Sequence, residues 1–253
     1  MRLLLPDNFY AKIFSYLFPS LSERDISYYP SASLGRFLDE DKADLALIPS
    51  MDLLTYPSFF VSGRTAVSFD GALSNSYFYF LKQIRMVKEV FLRGDVSKNE
   101  AILTKIIFSE QFDSNVDIVL DSKPFDLNSK NYLVCGDENL RTGNYDVGLS
   151  MADQVSDLID APYVNYILVS KEQEILKEFT KGITGLDKFL EDNFEVITKK
   201  LDYSQSAVQN IKENINSIYF DMTENEKKAL TDLIRLPYFT GLMEDIHDIN
   251  FVD

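Results

Sequence analysis

The sequence contains no tryptophan, one cysteine and one histidine among 253 residues. The single cysteine, Cys135, cannot form an internal disulfide, which is typical of a chain in a reducing compartment. It lies in an apolar run and is expected to be buried and inert. His247 is near the end of the chain and is expected at the surface, so a Ser-His-Asp triad, a Cys-His dyad or an HExxH zinc site is not expected.

Long apolar runs and phosphate-binding motifs are also missing. No segment approaches the roughly 18 apolar residues of a membrane span. The apolar run at 3–5 is too short for a signal sequence and is broken by Pro6 and Asp7. Neither GxGxxG nor GxxxxGKS/T occurs. We therefore expect a cytoplasmic protein that needs no cofactor and no metal.

Positive charge is scarce, because 25 Lys and Arg residues face 40 Asp and Glu residues and leave a formal net charge of -15. The basic residues are scattered singly or in pairs, so no patch is available for a phosphate backbone or an anionic membrane surface. Nucleic acid and membrane are therefore not expected as partners. Any chemistry must rest on carboxylates, hydroxyls, amides, lysine, arginine or helix dipoles.

The hydrophobic pattern predicts an α/β protein, because strands and helices alternate through the first two thirds of the chain and helices dominate the rest. Capping boxes are predicted at Ser170 with Gln173 and at Thr223 with Glu226. The helix predictions are 8–18, 31–39, 98–108, 153–159 and a helical region after 170. The predicted strands are 3–5, 26–29, 45–48, 59–68, 76–81, 87–92, 116–120, 132–135 and 163–169.

Several short segments, in order through nearly the whole chain, resemble the menaquinone-biosynthesis family of the futalosine pathway, and in particular its chorismate dehydratase branch. The matching segments are ADLALIPS at 43–50, GALSNS at 71–76, GDENL at 136–140, YDVG at 145–148, APYV at 161–164, YFDM at 219–222 and GL at 241–242.

The resemblance implies a two-lobed type II periplasmic-binding-protein-like fold with a helical C-terminal tail. Residues 1–73 plus 165–253 would form lobe one, residues 74–164 would form lobe two, and a small anionic organic ligand would bind in the cleft between them. The family's reaction converts chorismate to 3-enolpyruvylbenzoate. The alternatives are a non-catalytic binding module for a small carboxylate-bearing ligand and a transport-type binding protein. The chain would be a monomer or a homodimer.

The same resemblance selects candidate site residues. Asn8, Ser97 and Asn99 are the catalytic candidates. Ligand contacts are expected from Ser50, Asn75, Ser76, Lys98, Gly136 and Asp137. A helix beginning near Ser97 favours a carboxylate at its free N–H groups, and Lys98 would add a positive charge.

The candidates also have ordinary structural explanations. Ser50 would be an ordinary turn serine after Pro49, and Asn75 with Ser76 a polar pair at a strand end. Asn8 and either Asp95 or Ser97 are suitable helix N-caps, Lys98 would then face water, and Asp137 would brace its loop. Arg64 is a possible counter-charge for a dianion, although no motif supports it.

The departures from the family pattern predict a changed ligand. The family has S-R-T-S where this chain has Ser97-Lys98-Asn99-Glu100. Asn75 replaces a serine. The sister branch carries a histidine in the loop that matches Gly136, and this chain has none there. Glu100 would repel a second carboxylate if it faced the ligand, and under the alternative it is a stabilising acid in the first helical turn.

Overall fold

A computed structural model describes residues 1–18, 23–82, 86–123, 126–143 and 147–253. The described chain contains two mixed β-sheets with helices packed on them. The strands of the first sheet are β1 Leu3–Pro6, β2 Ile26–Tyr29, β3 Leu45–Pro49, β4 Phe60–Phe69, β10 Tyr163–Ser170, β11 Ile218–Asp221 and β12 Asn250–Val252. The strands of the second sheet are β5 Ser76–Tyr79, β6 Glu89–Gly94, β7 Asp117–Leu120, β8 Tyr132–Cys135 and β9 Leu149–Ser150.

The first sheet has the order β11-β4-β10-β3-β1-β2, with β12 beside β4, and the second has the order β7-β6-β8-β5-β9. We call the first sheet with its helices lobe one and the second lobe two. Lobe-one strands therefore come from 3–69 and from 163–252, whereas lobe-two strands come from 76–150. The finer division into 1–73 plus 165–253 and 74–164 remains a prediction.

Nine α-helices lie within the described ranges, together with short 3₁₀ helices that include Ser31–Ser33 and Ser50–Leu54. The α-helices are α1 Phe9–Tyr16, α2 Leu34–Asp39, α3 Lys98–Phe112, α4 Asp137–Thr142, α5 Met151–Ile159, α6 Gln173–Thr180, α7 Leu186–Thr198, α8 Gln205–Glu213 and α9 Glu224–Phe239. None of these described helices has the length and apolar character needed to cross a membrane.

The parallel strands bring helix N-termini to one edge of each lobe. In lobe one, β1 pairs in parallel with β2 and β3, and each of the three strands leads directly into a helix. In lobe two, β6 is parallel to β7 and β8, and α3 and α4 follow β6 and β8. Ligands of open α/β sheets bind at these carboxyl edges, and here the two edges face each other.

The predicted α/β class is confirmed, and most predicted strands and helices lie within a few residues of the observed ones. The predicted capping box at Ser170 is wrong. Ser170 ends β10, and its hydroxyl donates to the Asp44 carbonyl at 2.8 Å and accepts from the Glu172 amide at 3.1 Å, so α6 begins at Gln173 without it. The capping box of Thr223 with Glu226 is confirmed.

The helical region predicted after 170 is interrupted by a strand. Ile218 continues a helical spacing of apolar residues, but β11 pairs with β4 through Ile218 opposite Phe69 and Tyr219 opposite Ser68. The short strand β12 was not predicted either. Both strands add to an edge that β4 presents only in the folded protein, so local periodicity could not reveal them.

Candidate functional site

Three helices of lobe one begin at the inter-lobe contact, and each has a backbone N–H bound by a side chain of lobe two. In all three the acceptor is a carboxylate or amide oxygen that crosses the cleft. The bonds run from Phe9 N to Asp137 Oδ1 at 2.7 Å, from Ser31 N to Asp95 Oδ1 at 2.8 Å and from Met51 N to Asn99 Oδ1 at 2.9 Å.

These N–H groups form a place for anionic groups. The first N–H groups of a helix have no acceptors inside the helix. The start at Phe9 belongs to the α-helix α1, whose dipole adds a partial positive charge, whereas Ser31 and Met51 belong to short 3₁₀ helices and offer their free N–H groups alone. Oxygen atoms of lobe two already fill the three positions. The lobes are therefore closed on their own side chains at these three positions.

The hydroxyl of Tyr166 lies at the centre of this contact. This hydroxyl accepts a hydrogen bond from the side-chain amide of Asn8 at 3.1 Å and another from that of Asn75 at 3.0 Å. It also lies within hydrogen-bond distance, 3.0 Å, of the Ser31 hydroxyl. Tyr166 is 1% exposed, and burial raises the pKa of its hydroxyl well above the usual value. The hydroxyl is neutral at physiological pH and joins two lobe-one residues to a lobe-two residue through hydrogen bonds alone.

The neighbours Asn165 and Tyr166 lie at a register shift in β10, and both side chains bond to lobe-two residues. Val164 is opposite Ser68 and Tyr166 is opposite Val67, so Asn165 is an extra residue in its strand. Successive side chains of a regular strand point to opposite faces, and a bulge changes that alternation. Both polar side chains consequently reach residues of lobe two from the middle of an otherwise apolar strand.

The orientation of Asn165 follows from a chain of hydrogen bonds. The Asn99 oxygen accepts from Met51 N, so the Asn99 amide nitrogen is the donor to the Asn165 carbonyl at 2.7 Å and to Asn165 Oδ1 at 2.8 Å. Asn165 Oδ1 also accepts from the Tyr163 hydroxyl at 3.0 Å. The Asn165 Nδ2 atom, in a residue 1% exposed, has no hydrogen-bond partner among the described atoms.

Glu100 closes the N-terminus of its own helix. Its carboxylate accepts from Ser97 N at 2.8 Å, from the Ser97 hydroxyl at 2.6 Å and from the Ser76 hydroxyl at 3.0 Å, completing a capping box. Burial raises the pKa of Glu100, and these hydrogen bonds oppose the rise. Ser97 is the N-cap of α3, which was one of the two alternatives from the sequence. The hydroxyls of Ser97 and Ser76 both donate to Glu100.

Lys98 pairs across the lobes with an acid of lobe one. Its Nζ lies 3.3 Å from Asp52 Oδ1 and 2.5 Å from Thr55 Oγ1, and the Lys98 side chain is 40% exposed. Burial raises the pKa of Asp52, while the charge of Lys98 lowers it. Lys98 therefore neither stands free in water nor offers its charge to the centre of the cleft.

Asp137 links α4 to three groups of lobe one. Besides Phe9 N, its carboxylate accepts from the Tyr203 hydroxyl and lies 3.6 Å from Lys12 Nζ. Gly136 precedes it with φ +70, and a Cβ at this glycine would lie 3.0 Å from Asp95 Cβ. The left-handed backbone and the close approach both favour glycine here, and they hold Asp95 and Asp137 at one edge of lobe two.

The predicted candidates meet at the inter-lobe contact, with Lys98 at its rim. Ser50 is buried there, and its hydroxyl lies 3.4 Å from Asn99 Oδ1. Arg64 is exposed on β4, Cys135 is buried as predicted, and His247 is half-buried instead of exposed. The matched segment at 145–148 lies partly outside the described residues.

Sequence reasoning missed several polar residues at this contact. They are Asn165, Tyr166 and Tyr203. Asp95 was considered only as a helix cap, and Ser31 only as a possible cap of the predicted helix 31–39. The available signal was the Asn165-Tyr166 pair inside a buried strand, since polar side chains in such a run require partners. The described residues contain no group of three or more His, Cys, Asp or Glu side chains that could hold a metal ion.

A groove of about 980 Å³ lies outside the cleft, beside α1, β2 and α7. Aromatic and basic side chains share its walls. They include Tyr16, Tyr28, Phe189, Lys12, Lys200 and Tyr203. The groove therefore contacts the cleft through Lys12 and Tyr203, both of which lie against Asp137.

No protein-family model matches the chain, and no curated protein matches it. Solved structures do resemble it. An ABC transporter structure from Parabacteroides distasonis has a TM-score of 0.68 at 11% identity over 100% of this chain and 98% of that one. A Candida albicans gene product with the generic periplasmic binding protein fold has a TM-score of 0.62 at 10% identity over 97% and 91%.

The alkanesulfonate-binding protein SsuA from Xanthomonas axonopodis pv. citri, bound to MOPS, has a TM-score of 0.56 at 10% identity over 98% of this chain and 96% of that one. At such identities the likeness establishes the fold alone. The chain has the two-lobed periplasmic-binding-protein-like fold that its sequence motifs predict.

Proposed function

We propose that this protein binds a small organic acid in the cleft between its lobes. The observation that carries the proposal is the row of three lobe-one helix starts whose N–H groups are bound by oxygen atoms of lobe two. A ligand carboxylate or sulfonate presents the same acceptor atoms, so it can replace a lobe-two side chain when the lobes separate.

The fold supports this placement of the ligand. One structural relative is an alkanesulfonate-binding protein bound to MOPS, and its sulfonate ligand belongs to the acid class that suits helix N-termini. For the present chain we propose the same class of ligand, a small carboxylate or sulfonate. The hydrogen bonds between the lobe-one helix starts and the lobe-two side chains stabilise the closed lobes. A ligand that replaces a lobe-two side chain must offset the loss of that bond, and this cost lowers the affinity for the ligand.

The test is calorimetric titration of the purified protein with succinate, benzoate, methanesulfonate and MOPS, accompanied by thermal unfolding. We expect at least one acid to bind with one-to-one stoichiometry and to raise Tm in a concentration-dependent way. The matched amides and alcohols, succinamide and benzyl alcohol, should not bind. Binding of the neutral compounds as tightly as the acids would contradict the proposal.

A second candidate is the chorismate dehydratase activity implied by the sequence segments. The reaction removes the ring 4-hydroxyl as water together with a ring proton, and the substrate's enolpyruvyl carboxylate can serve as the base where the site lacks histidine. Asn8, Ser97 and Asn99 would then hold the substrate. Because Ser97 is bound to Glu100 and Asn99 to Met51 and Asn165, these contacts must open first.

This candidate is tested by incubating the protein with chorismate and following the products by chromatography and ultraviolet absorbance. Formation of 3-enolpyruvylbenzoate above the spontaneous background would establish a lyase. Unchanged chorismate with folded protein would exclude the dehydratase and leave the binding function to be decided by the titrations.

A further inference from the structure

Two polar groups at the inter-lobe contact lack the partners that their chemistry requires. The Asp95 carboxylate accepts hydrogen bonds from Ser31 N at 2.8 Å and from the Ser31 hydroxyl at 2.5 Å, but no Lys, Arg or His nitrogen of the described chain lies within 4.0 Å of it. The Asn165 Nδ2 atom is a buried donor without an acceptor. Within the described chain, the Asp95 carboxylate thus lacks a cationic partner, and the Asn165 amide nitrogen lacks an acceptor.

The neighbouring acids differ from Asp95 in this respect. Asp137 lies 3.6 Å from Lys12 Nζ, and Asp52 lies 3.3 Å from Lys98 Nζ. Burial raises the pKa of Asp95, the hydrogen bonds from Ser31 oppose the rise, and the charges of Asp137 and Asp7 add to it. A second anion placed beside Asp95 would face the same unfavourable charge.

We infer that the ligand is a zwitterion, whose acid group binds the lobe-one helix starts and whose ammonium group binds Asp95. This inference rests on the proposed function and narrows its ligand class. The ligand acid takes the place of Asp95 at Ser31 N, and the ligand ammonium then pairs with the released carboxylate. The exchange adds no net charge to the cleft, whereas a simple anion would leave Asp95 facing a like charge.

Asn165 offers a hydrogen-bond donor to the acid group of the ligand. Its free N–H group lies beside Asn99, which binds the helix start at Met51. A ligand carboxylate or sulfonate that approaches these helix starts can accept from Asn165, since its oxygens have more than one acceptor position. The cation and the acid of the ligand therefore each have a partner in the cleft.

The test compares ligands that differ only in the ammonium group. Taurine is paired with isethionate, and β-alanine with 3-hydroxypropionate; in each pair a hydroxyl replaces the ammonium. We expect the zwitterion to bind at least tenfold more tightly in calorimetric titrations of the wild-type protein. The comparison is repeated in 0.5 M NaCl, because the net charge of -15 attracts cations at long range and salt screens that attraction.

The variant Asp95→Asn keeps an acceptor oxygen for Ser31 and removes the charge. It is expected to abolish the preference for the ammonium group, with at least a tenfold loss for taurine or β-alanine and no loss for their hydroxyl partners. Asp157→Asn, an exposed residue on α5, is the matched control and should retain the preference.

Each outcome separates the two proposals. Equal binding of the two members of a pair, or tighter binding of the hydroxyl member, would overturn the zwitterion inference and leave acid binding intact. Failure of all four compounds and of the acids named above would overturn both. A preference that Asp95→Asn and Asp157→Asn reduce equally would assign the effect to overall charge and overturn the role of Asp95.

Discussion

The side-chain amide of Asn75 in lobe two donates a hydrogen bond of 3.0 Å to the hydroxyl of Tyr166 in lobe one. The same hydroxyl receives the amide of Asn8 at 3.1 Å, so one oxygen atom connects the first helix of lobe one with the start of lobe two. All three residues are buried. Neutral hydrogen bonds therefore hold the two lobes together at their centre.

Replacing Tyr166 by phenylalanine is expected to weaken lobe closure. Tyr166→Phe leaves the amides of Asn8 and Asn75 without their acceptor, and a buried unsatisfied donor costs about 1–3 kcal/mol. We expect a lower free energy of unfolding in urea and a larger radius of gyration by solution X-ray scattering. Tyr28→Phe is the control, because its hydroxyl donates to the Ser15 hydroxyl at 3.1 Å within lobe one. An unchanged radius of gyration for Tyr166→Phe would contradict its bridging role.

The amide of Ser31 can be removed by proline with little change to the backbone. Ser31 begins a 3₁₀ helix, where proline is tolerated because the N–H has no acceptor inside the helix. We expect Ser31→Pro to weaken binding of the best acid in the titrations by about tenfold. That loss corresponds to about 1.4 kcal/mol. Ser31→Ala removes the hydroxyl and keeps the N–H, so it isolates the amide. Equal affinities of the two variants would contradict a role for this helix start.

Removing Lys98 is expected to affect stability through Asp52. Burial raises the pKa of Asp52 above its usual value, and the charge of Lys98 lowers it. In Lys98→Ala the pKa of Asp52 rises further, so the variant should lose about 1 kcal/mol at neutral pH, where the unpaired carboxylate is charged. The loss should shrink as acid protonates Asp52.

Urea unfolding at several pH values measures this effect of Lys98. The double variant with Asp52→Asn is expected to recover the stability lost in Lys98→Ala, because no buried charge remains. A tenfold loss of acid binding in Lys98→Ala at unchanged stability would instead support the direct ligand contact that the sequence motif predicts.

Asp187 should make stability depend on pH near neutrality. Burial raises its pKa to about 6, while the amides of Phe220 and Asp221 oppose the rise by donating to its carboxylate. A raised pKa means that the protonated acid favours the folded state. This contribution is fully present below the unfolded pKa of about 3.9 and is lost as the pH rises through about 6.

The variant Asp187→Asn keeps an acceptor for Phe220 and cannot ionise. Its Tm should exceed that of the wild type above pH 6 and approach it near pH 4. The difference between the two curves is the measurement, because other acids contribute equally to both proteins. A difference independent of pH would contradict the raised pKa.

Local sequence features predicted the elements that depend on local interactions. The predicted capping box of Thr223 with Glu226 forms between residues three apart and is present. Ser97 was predicted as a possible N-cap and Glu100 as a first-turn acid, and the structure joins the two in a capping box. The strand β3 is a continuous apolar run ending at Pro49 and is buried throughout, as predicted. It is parallel to β1 but antiparallel to β10, so the predicted parallel pairing holds on one side only. Asn8 caps α1 through Ala11 N, the alternative stated beside its functional role.

Contacts between distant parts of the chain could not be predicted in this way. The partners of Asp95, Asn99 and Asp137 lie 64, 48 and 128 residues away, and β11 and β12 require the edge of β4. The predicted Ser170 capping box is wrong because Ser170 is the last residue of β10 and its hydroxyl donates to the Asp44 carbonyl.

The sequence alone determined the α/β class and the caps of α1, α3 and α9, since hydrophobic periodicity and capping act over a few residues. It placed the acid at the helix start of Ser97, which Glu100 closes in the structure. The tertiary structure decided which groups meet. The neighbours Asn165 and Tyr166, at a register shift in β10, both bond to lobe two, and closure places Asp95 on Ser31 without a cation. These relationships arise from the packing of two sheets, because hydrogen bonds and charges depend on distances that only the folded chain sets.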